Sequence, residues 1–346
     1  MKKYPQVSII IANWNGGNIY EKCLYSLSKI NYPNWELIVV DNGSTDGTTE
    51  LSLNPKFKIK SSKLIKNKTN LGFAPANNQG YKASSGQYLL LLNNDTLVDP
   101  DFLDVLVAKM ETEKDLGVIQ PKIRIMDNPE YLDNAGSFIT RIGFLYHWGF
   151  MQRDGQEFNK ECEVFTTKGA CMLIRKSLVD EIGLFDSDFM SYFEESDFCW
   201  RVWLTGKRVL FYPQTQIFHK VGFTIKRLDV GNLNWHYYKN RICSLIKNLE
   251  VGNLLTVLPI HLFISLGISF IFLVEGRFSS SLIIWKAIGW NIKSLGTTLK
   301  KRKKVQKMRN LPDKSIFDKL SVPVDWKSFF GDFKRIEEDL DRKNKV

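Results

Sequence analysis

The 346-residue chain lacks the two phosphate-binding loops that mark the commonest nucleotide sites, since neither GxxxxGK[ST] nor GxGxxG occurs in it. Kinase-type hydrolysis of a nucleoside triphosphate and ordinary dinucleotide binding are thereby disfavoured. Cysteine is sparse: five are scattered (Cys23, Cys162, Cys171, Cys199, Cys243), with no CxxC pair and no metal-ligand spacing. That pattern points to buried or half-buried thiols in a reducing compartment. The opening MKKYPQVSIIIANWN has too short an apolar run for a secretion signal and enters a strand directly, so no secretion is expected. Acidic residues are missing from one stretch. Between Asn291 and Asn310 there are eight basic residues and no acidic one, which leaves a net charge of +3, out of +11, for everything else. This argues against a nucleic-acid-binding face spread over the fold, and the run has no aromatic residues between its charges for bases to stack on. It reads as a local segment that meets phosphate or anionic lipid, or as a solvated charged helix.

What is present is a folded chain of ordinary make-up, 44% hydrophobic and 25% charged. Its organising stretch is GQYLLLLNNDTLVD, Gly86 to Asp99. The unbroken run Leu89 to Leu92 has the length of a strand buried on both faces of a parallel sheet. It stops at Asn93-Asn94-Asp95, and polar side chains at the carboxyl end of a buried strand stand where open α/β sheets bind ligands. A carboxylate there can hold a hard divalent cation, and the cation a diphosphate; a plain polar turn is the alternative. Val7 to Ala12 and Trp35 to Val40 are two more buried strands, ending in Asn13 to Gly17 and in Asp41 to Gly47. Helices are expected from Ile19 to Leu27, from Pro75 to Ala83 (opened by its proline) and from Pro100 to Met110, with a short strand over Lys63 to Lys66. Strands alternating with helices imply a parallel sheet with right-handed crossovers. Three polar strand ends therefore meet at one edge.

The second half is more mixed. Val118 to Ile125 and Gly169 to Arg175 read as strands, separated by a poorly periodic segment from Asp133 to Gly149. Ser177 to Ile182 reads as a short helix. Phe193 to Arg201, FEESDFCWR, reads as the opening turns of a helix, with Asp197 and Arg201 four apart on one face. Glu194 and Glu195 follow Phe189, Met190, Tyr192 and Phe193, an aromatic setting that can raise a carboxylate towards the pKa of a useful base. Arg208 to Phe211 is expected as a strand, then a turn, then Ile217-Phe218-His219. A lone histidine after an apolar pair is more often structural than a ligand.

The order of VSIIIANWN, IVVDNGSTDGT, NLGFAPANNQG, LLLLNNDT, GACMLIRKS, FEESDFCWR and His219 resembles the family 2 glycosyltransferases, most closely their rhamnosyltransferase-like branch, from about Pro5 to Asn248. The resemblance implies a GT-A fold: α/β, a mostly parallel Rossmann-like sheet flanked by helices, divided as 1–115 for the nucleotide sugar and 116–248 for acceptor and catalysis. It implies that Ala12, Asn13 and Asn94 line the donor, that Asp41 bonds its base, and that Asn70 and Gly72 border its pocket. Gly169 and Ala170 would flank donor and acceptor. Asp95 would be the metal-binding aspartate and His219 would reach the same Mg²⁺ or Mn²⁺ or the diphosphate. Glu195 would be the catalytic base of an inverting transfer, with Glu194 beside it. The first position of the usual DxD is Asn93, so the motif offers one carboxylate rather than two, which Mg²⁺ tolerates. The implied donor is a dTDP- or UDP-sugar, with dTDP-rhamnose suggested by the branch, and the implied acceptor is a saccharide or lipid-linked saccharide. A nucleotide-sugar-binding protein without turnover is the other reading.

After Asn248 the composition shifts. Leu254 to Val274 carries no formal charge and is long enough to cross a bilayer. A single crossing would put the eight-charge segment outside while the donor domain stays in the cytoplasm, against the positive-inside rule. A re-entrant or interfacial arrangement is therefore expected, aided by Phe278 to Ile292 with Trp285 and Trp290 as anchors and Lys286 as a snorkelling charge. Residues 249–310 are read as attaching the protein to the cytoplasmic face of the inner membrane, and 311–346 as a charged tail. A soluble helical bundle on the catalytic domain is the alternative.

Overall fold

The structure is a computed structural model, and it describes residues 4–59, 61–222, 230–324 and 326, with side chains from 234 onward in the first C-terminal helix. The near-continuous apolar runs form the central sheet, because only strands covered on both faces can bury every side chain. Strands β1 (Val7–Asn13), β2 (Trp35–Asp41), β3 (Ser62–Lys66) and β4 (Tyr88–Leu92) lie in the order β3-β2-β1-β4, all parallel. Helices α1 (Gly17–Leu27) and α2 (Phe73–Ala83) cover opposite faces. Pro75 sits in the first turn of α2, where its missing N–H is not needed. After β4 come β5 (Thr96–Val98) and α3 (Phe102–Thr112), and then β6 (Leu116–Ile125).

The poorly periodic segment from Asp133 to Gly149 holds the end of one short strand, β7 (Asn128–Asn134), and two more, β8 (Ser137–Thr140) and β9 (Leu145–His147). Their length of three to seven residues, and β7's partly exposed pattern, left little periodicity to read. Next are β10 (Cys162–Glu163), β11 (Cys171–Arg175), α4 (Lys176–Ile182) and α5 (Glu194–Leu204). The expected strand, turn and strand after α5 are one strand, β12 (Arg208–His219), paired in parallel with β6. Its register with β6 shifts by three residues between Tyr212 and Gln216, and an odd shift changes the face that each later side chain occupies. The sheet continues β4-β11-β6-β12-β10, with β11 antiparallel to both neighbours. One sheet thus runs through both 1–115 and 116–248.

The C-terminal segment folds as helices α6 (Val230–Asn248), α7 (Val251–Val274), α8 (Phe278–Lys293), α9 (Leu295–Lys307) and α10 (Asp313–Leu320), and then β13 (Ser321–Val322). The chain after α7 returns to the domain it left. The Arg302 guanidinium donates to the Ile246 and Leu249 carbonyls at 2.6 Å, and the Asn310 N–H donates to Leu204 O at 2.6 Å. β13 pairs with β8, so the first part of the expected charged tail is folded against the β8–β9 hairpin. The remainder, 325 and 327–346, lies outside the described residues. α8 and α9 pack on α6, so the chain after α7 lies back against the helix that precedes it.

Candidate active site

Two loops close over the carboxyl ends of β1 and β2. Asn13 is fully buried and donates from Nδ2 to Asp41 Oδ1 (3.0 Å), Ser44 Oγ (3.2 Å) and Thr48 Oγ1 (3.2 Å), and it accepts at Oδ1 from Asn94 Nδ2 (2.8 Å). Asp41 also accepts from the Ser44 hydroxyl (2.6 Å), the Ser44 N–H (3.0 Å) and Thr49 Oγ1 (3.3 Å). Four bonds use the acceptor capacity of a carboxylate, so a base contact at Asp41 would have to displace one of them. Asn13, Asp41 and Asn94 therefore tie three strand ends together. Ala12 is half-buried beside them.

Asn70 accepts the Gly72 N–H at 2.9 Å, and the Gly72 carbonyl accepts from Asn42 Nδ2 at 3.1 Å. Gly72 has φ +92°, and a Cβ there would stand 2.3 Å from the Met190 side chain, so no larger residue fits. β11 runs antiparallel to β4, which lays Lys168, Gly169 and Ala170 beside Asn93, Asn94 and Asp95; the Asn93 N–H donates to Ala170 O at 3.0 Å.

The antiparallel pair β5 and β12 brings together two residues 124 apart in sequence, Asp95 and His219. His219 Nε2 is 3.2 Å from Asp95 Oδ1, and Nδ1 is 2.8 Å from Asp133 Oδ2. Asp133 is fully buried and also takes the Lys168 ammonium at 2.5 Å. Burial alone would lower the His219 imidazole, but Asp95 and Asp133 outweigh it and push it up to about 9. Burial would raise Asp133; Lys168 and His219 overcome this and hold it well below the usual carboxylate range. Asp95 Oδ1 is buried with no well-formed hydrogen bond, its near neighbour being His219 Nε2 at 3.2 Å, a contact that a cation held by both groups would replace. Among the described residues no group of three or more His, Cys, Asp or Glu forms a complete metal cage. Asp95 and His219 fit a divalent ion that completes its shell with substrate oxygens, and Asp133 stands where a ligating histidine's outer partner belongs.

Glu194 and Glu195 open α5. Both bury an Oε2 that no hydrogen bond satisfies. Desolvation raises both, Glu194 the more because the Glu195 charge adds to it, while Lys168 lowers Glu195. Lys168 thus lies between the acidic pair and the Asp133–His219–Asp95 chain. Asp197, expected as a helix-start charge, is buried and bonds Arg201 Nε at 3.1 Å and Lys247 at 3.0 Å. It belongs to the core and not to the site. The sequence reading missed Asp133 and Lys168. Lys168 adjoins the GACMLIR stretch and could have been found there; Asp133, on an edge strand of weak pattern, carries no local signal.

The fold and this strand-end site define the GT-A class of nucleotide-sugar-binding sheets. Residues 8–183, just over half of the chain, match the family model of glycosyl transferase family 2. The chain belongs to that family. The poly-beta-1,6-N-acetyl-D-glucosamine synthase of Staphylococcus aureus is 26% identical over 234 residues, covering 66% of this chain and 53% of that protein. The chain spans about half the length of the curated relatives it matches. Among solved structures, the 1–349 segment of S. aureus TarS in complex with UDP-GlcNAc has a TM-score of 0.59 at 16% identity, covering 88% of this chain and 90% of that one. The mannosyltransferase PcManGT of Pyrobaculum calidifontis, in complex with GDP-Man and Mn²⁺, has a TM-score of 0.52 at 14% identity, covering 89% and 86%. At these identities the likeness is one of fold.

Proposed function

We propose that the chain is an inverting glycosyltransferase that moves a sugar from a nucleotide diphosphate to a saccharide or lipid-linked saccharide, in the synthesis of a cell-surface polysaccharide at the cytoplasmic face of the membrane. The observation that carries this is the pairing of two desolvated, unsatisfied glutamates with a buried Asp95–His219–Asp133–Lys168 chain at one sheet edge. A divalent ion on Asp95 and His219 would supply charge neutralisation to a departing nucleoside diphosphate. Asp133 orients His219, and Lys168 in turn balances Asp133. Glu195 accepts the proton of an acceptor hydroxyl as that oxygen bonds the anomeric carbon. The bond from that carbon to the diphosphate oxygen breaks with its electron pair on the oxygen. One base, one displacement and no covalent sugar–enzyme intermediate give inversion. The test is release of nucleoside diphosphate, with Mg²⁺, Mn²⁺ or EDTA, from dTDP-rhamnose (the donor implied by the branch resemblance), UDP-GlcNAc (the ligand in the TarS structure) and other UDP-hexoses and UDP-galactofuranose. Metal-dependent turnover of one donor is expected. Binding of a donor without turnover, even with membrane lipids added, would favour a non-catalytic nucleotide-sugar-binding protein.

The same proposal places α7 and α8 in the membrane surface. α7 is the one described helix long and apolar enough to cross a bilayer, and its polar residues lie on the inward face beside Val257, Ile268 and Phe272. His261, Ser265 and Ser269 point inward and are buried, Ser269 meeting Ser281 of α8 at 2.6 Å, while Leu255, Phe263, Phe270 and Val274 are exposed, Phe263 by 78%. Water disfavours such an arrangement and a lipid layer favours it. Of the basic run, Lys301, Arg302 and Arg309 turn inward to protein acceptors; Lys293, Lys300, Lys303, Lys304 and Lys307 are exposed. Trp285 is exposed, as an anchor should be, whereas Trp290 is taken up by the Lys239 ammonium 4.5 Å from its ring. The protein is expected to float with vesicles containing phosphatidylglycerol. Phe263→Ser with Phe270→Ser should abolish flotation, and pure phosphatidylcholine should weaken it; an unchanged floating fraction for both would sink the membrane assignment.

A further inference from the structure

The turn that aims the two glutamates is held from outside the sheet. Tyr192 and Phe193, directly before Glu194, have φ of +68° and +69°. Two successive aromatic residues in the left-handed region are strained, and such strain persists only where surrounding structure over-determines it. The N-cap of α5 is Phe193 itself, which offers no side-chain cap. Asn240 of α6 is fully buried, and its Nδ2 donates to both carbonyls at this turn, Ser191 O at 3.0 Å and Tyr192 O at 2.6 Å. Other ties fix the loop upstream: the Ala74 N–H donates to Met190 O at 3.2 Å, and Lys239 Nζ donates to Asp188 O at 2.6 Å. None of these reaches the strained pair itself.

The geometry points to Asn240 as a positioning residue for the catalytic pair: its amide fixes the left-handed Tyr192–Phe193 turn and thereby the direction in which Glu194 and Glu195 leave α5. This rests on Glu195 being the base. Asn240 touches no reacting atom. It acts through the backbone, and a displacement of about 1 Å at a base costs up to about 100-fold in rate. The residue also belongs to the helix layer that carries α8 and α9, so the layer read as membrane-facing and the catalytic turn share one side chain.

The test uses the full chain. Asn240→Ala is expected to slow metal-dependent donor hydrolysis by about 10- to 100-fold in kcat, with donor KM and the Kd for UDP within twofold of wild type. A merely structural role would lower the folded fraction and leave kcat per folded molecule unchanged, as read by thermal unfolding and UDP titration. A second variant keeps the comparison sharp. Tyr192→Gly accepts the left-handed conformation without strain, so adding Asn240→Ala in that background should cost several-fold less than it costs alone. Equal losses in both backgrounds, or full turnover in Asn240→Ala, would overturn the assignment while Glu195→Gln stays inactive. If Glu195→Gln itself turns over normally, the base reading fails first and the positioning role falls with it.

Discussion

Glu195→Gln is expected to abolish donor turnover, lowering kcat by roughly two to four orders of magnitude, the range that general-base action contributes. The substitution keeps size and one acceptor but removes the site for the proton. Its donor binding should be unaffected, because the strand-end ties and the Asp95–His219 pair are not touched; a UDP titration checks this. The pH dependence has a fixed sign. Desolvation penalises the carboxylate anion, so the pair titrates above the ordinary glutamate value of about 4.3, and the active base form appears only as pH rises through that raised value. kcat/KM should therefore fall on the acid side of a limb lying above that ordinary value. Lys168 lowers Glu195 by its charge, so Lys168→Met should move the limb to higher pH. A limb at the ordinary glutamate value, or wild-type turnover by Glu195→Gln, would remove Glu195 from the mechanism.

The sheet was legible because its strands are unbroken apolar runs that end in polar clusters, and those clusters are the site edge. Asp95 and the Glu194–Glu195 pair could be singled out for the same reason, as carboxylates set against an apolar or aromatic run, whereas the choice of Glu195 within the pair came from the family resemblance. Asn13 and Asp41 were also visible as strand ends, but their mutual bonds were not, since a ladder position says which residues share an edge and not which side chains tie to one another. Asp133 and Asn240 were out of reach for a different reason. Each acts across 48 or more residues of sequence, Asp133 on His219 and Asn240 on Tyr192, through contacts that exist only once β7 or α6 is docked. The four-residue spacing of His261, Ser265 and Ser269 was in the sequence. That this polar stripe faces inward follows from partners that exist only in the fold, the Ser281 hydroxyl of α8 for Ser269 and the Ile142 carbonyl and Arg241 for His261, and the sequence has no means of choosing between them and water.

The second large effect is expected at Asp95. Asp95→Asn keeps the shape and removes the only carboxylate of the Asn93-Asn94-Asp95 stretch, so stimulation of donor turnover by Mg²⁺ or Mn²⁺ should disappear, with a loss of about 10²- to 10³-fold, comparable to removing a major electrostatic stabiliser. The proposed site would need only one carboxylate where a pair is usual. On the proposed reading His219 would supply the second anchor from β12, 124 residues away, with Asp133 at Nδ1 setting its ring direction and, once a metal replaces the Nε2 proton, its tautomer. Asp133→Asn should then behave as loss of an outer partner does, weakening metal affinity or activity by about 10- to 100-fold, while Asn93→Asp should raise metal affinity without raising kcat. Mn²⁺ binding followed by electron paramagnetic resonance reads affinity separately from turnover. Metal-stimulated turnover surviving in Asp95→Asn would detach the ion from this strand end. Unchanged Mn²⁺ binding in Asp133→Asn would mean that the buried Asp133–Lys168 pair serves the fold and not the site.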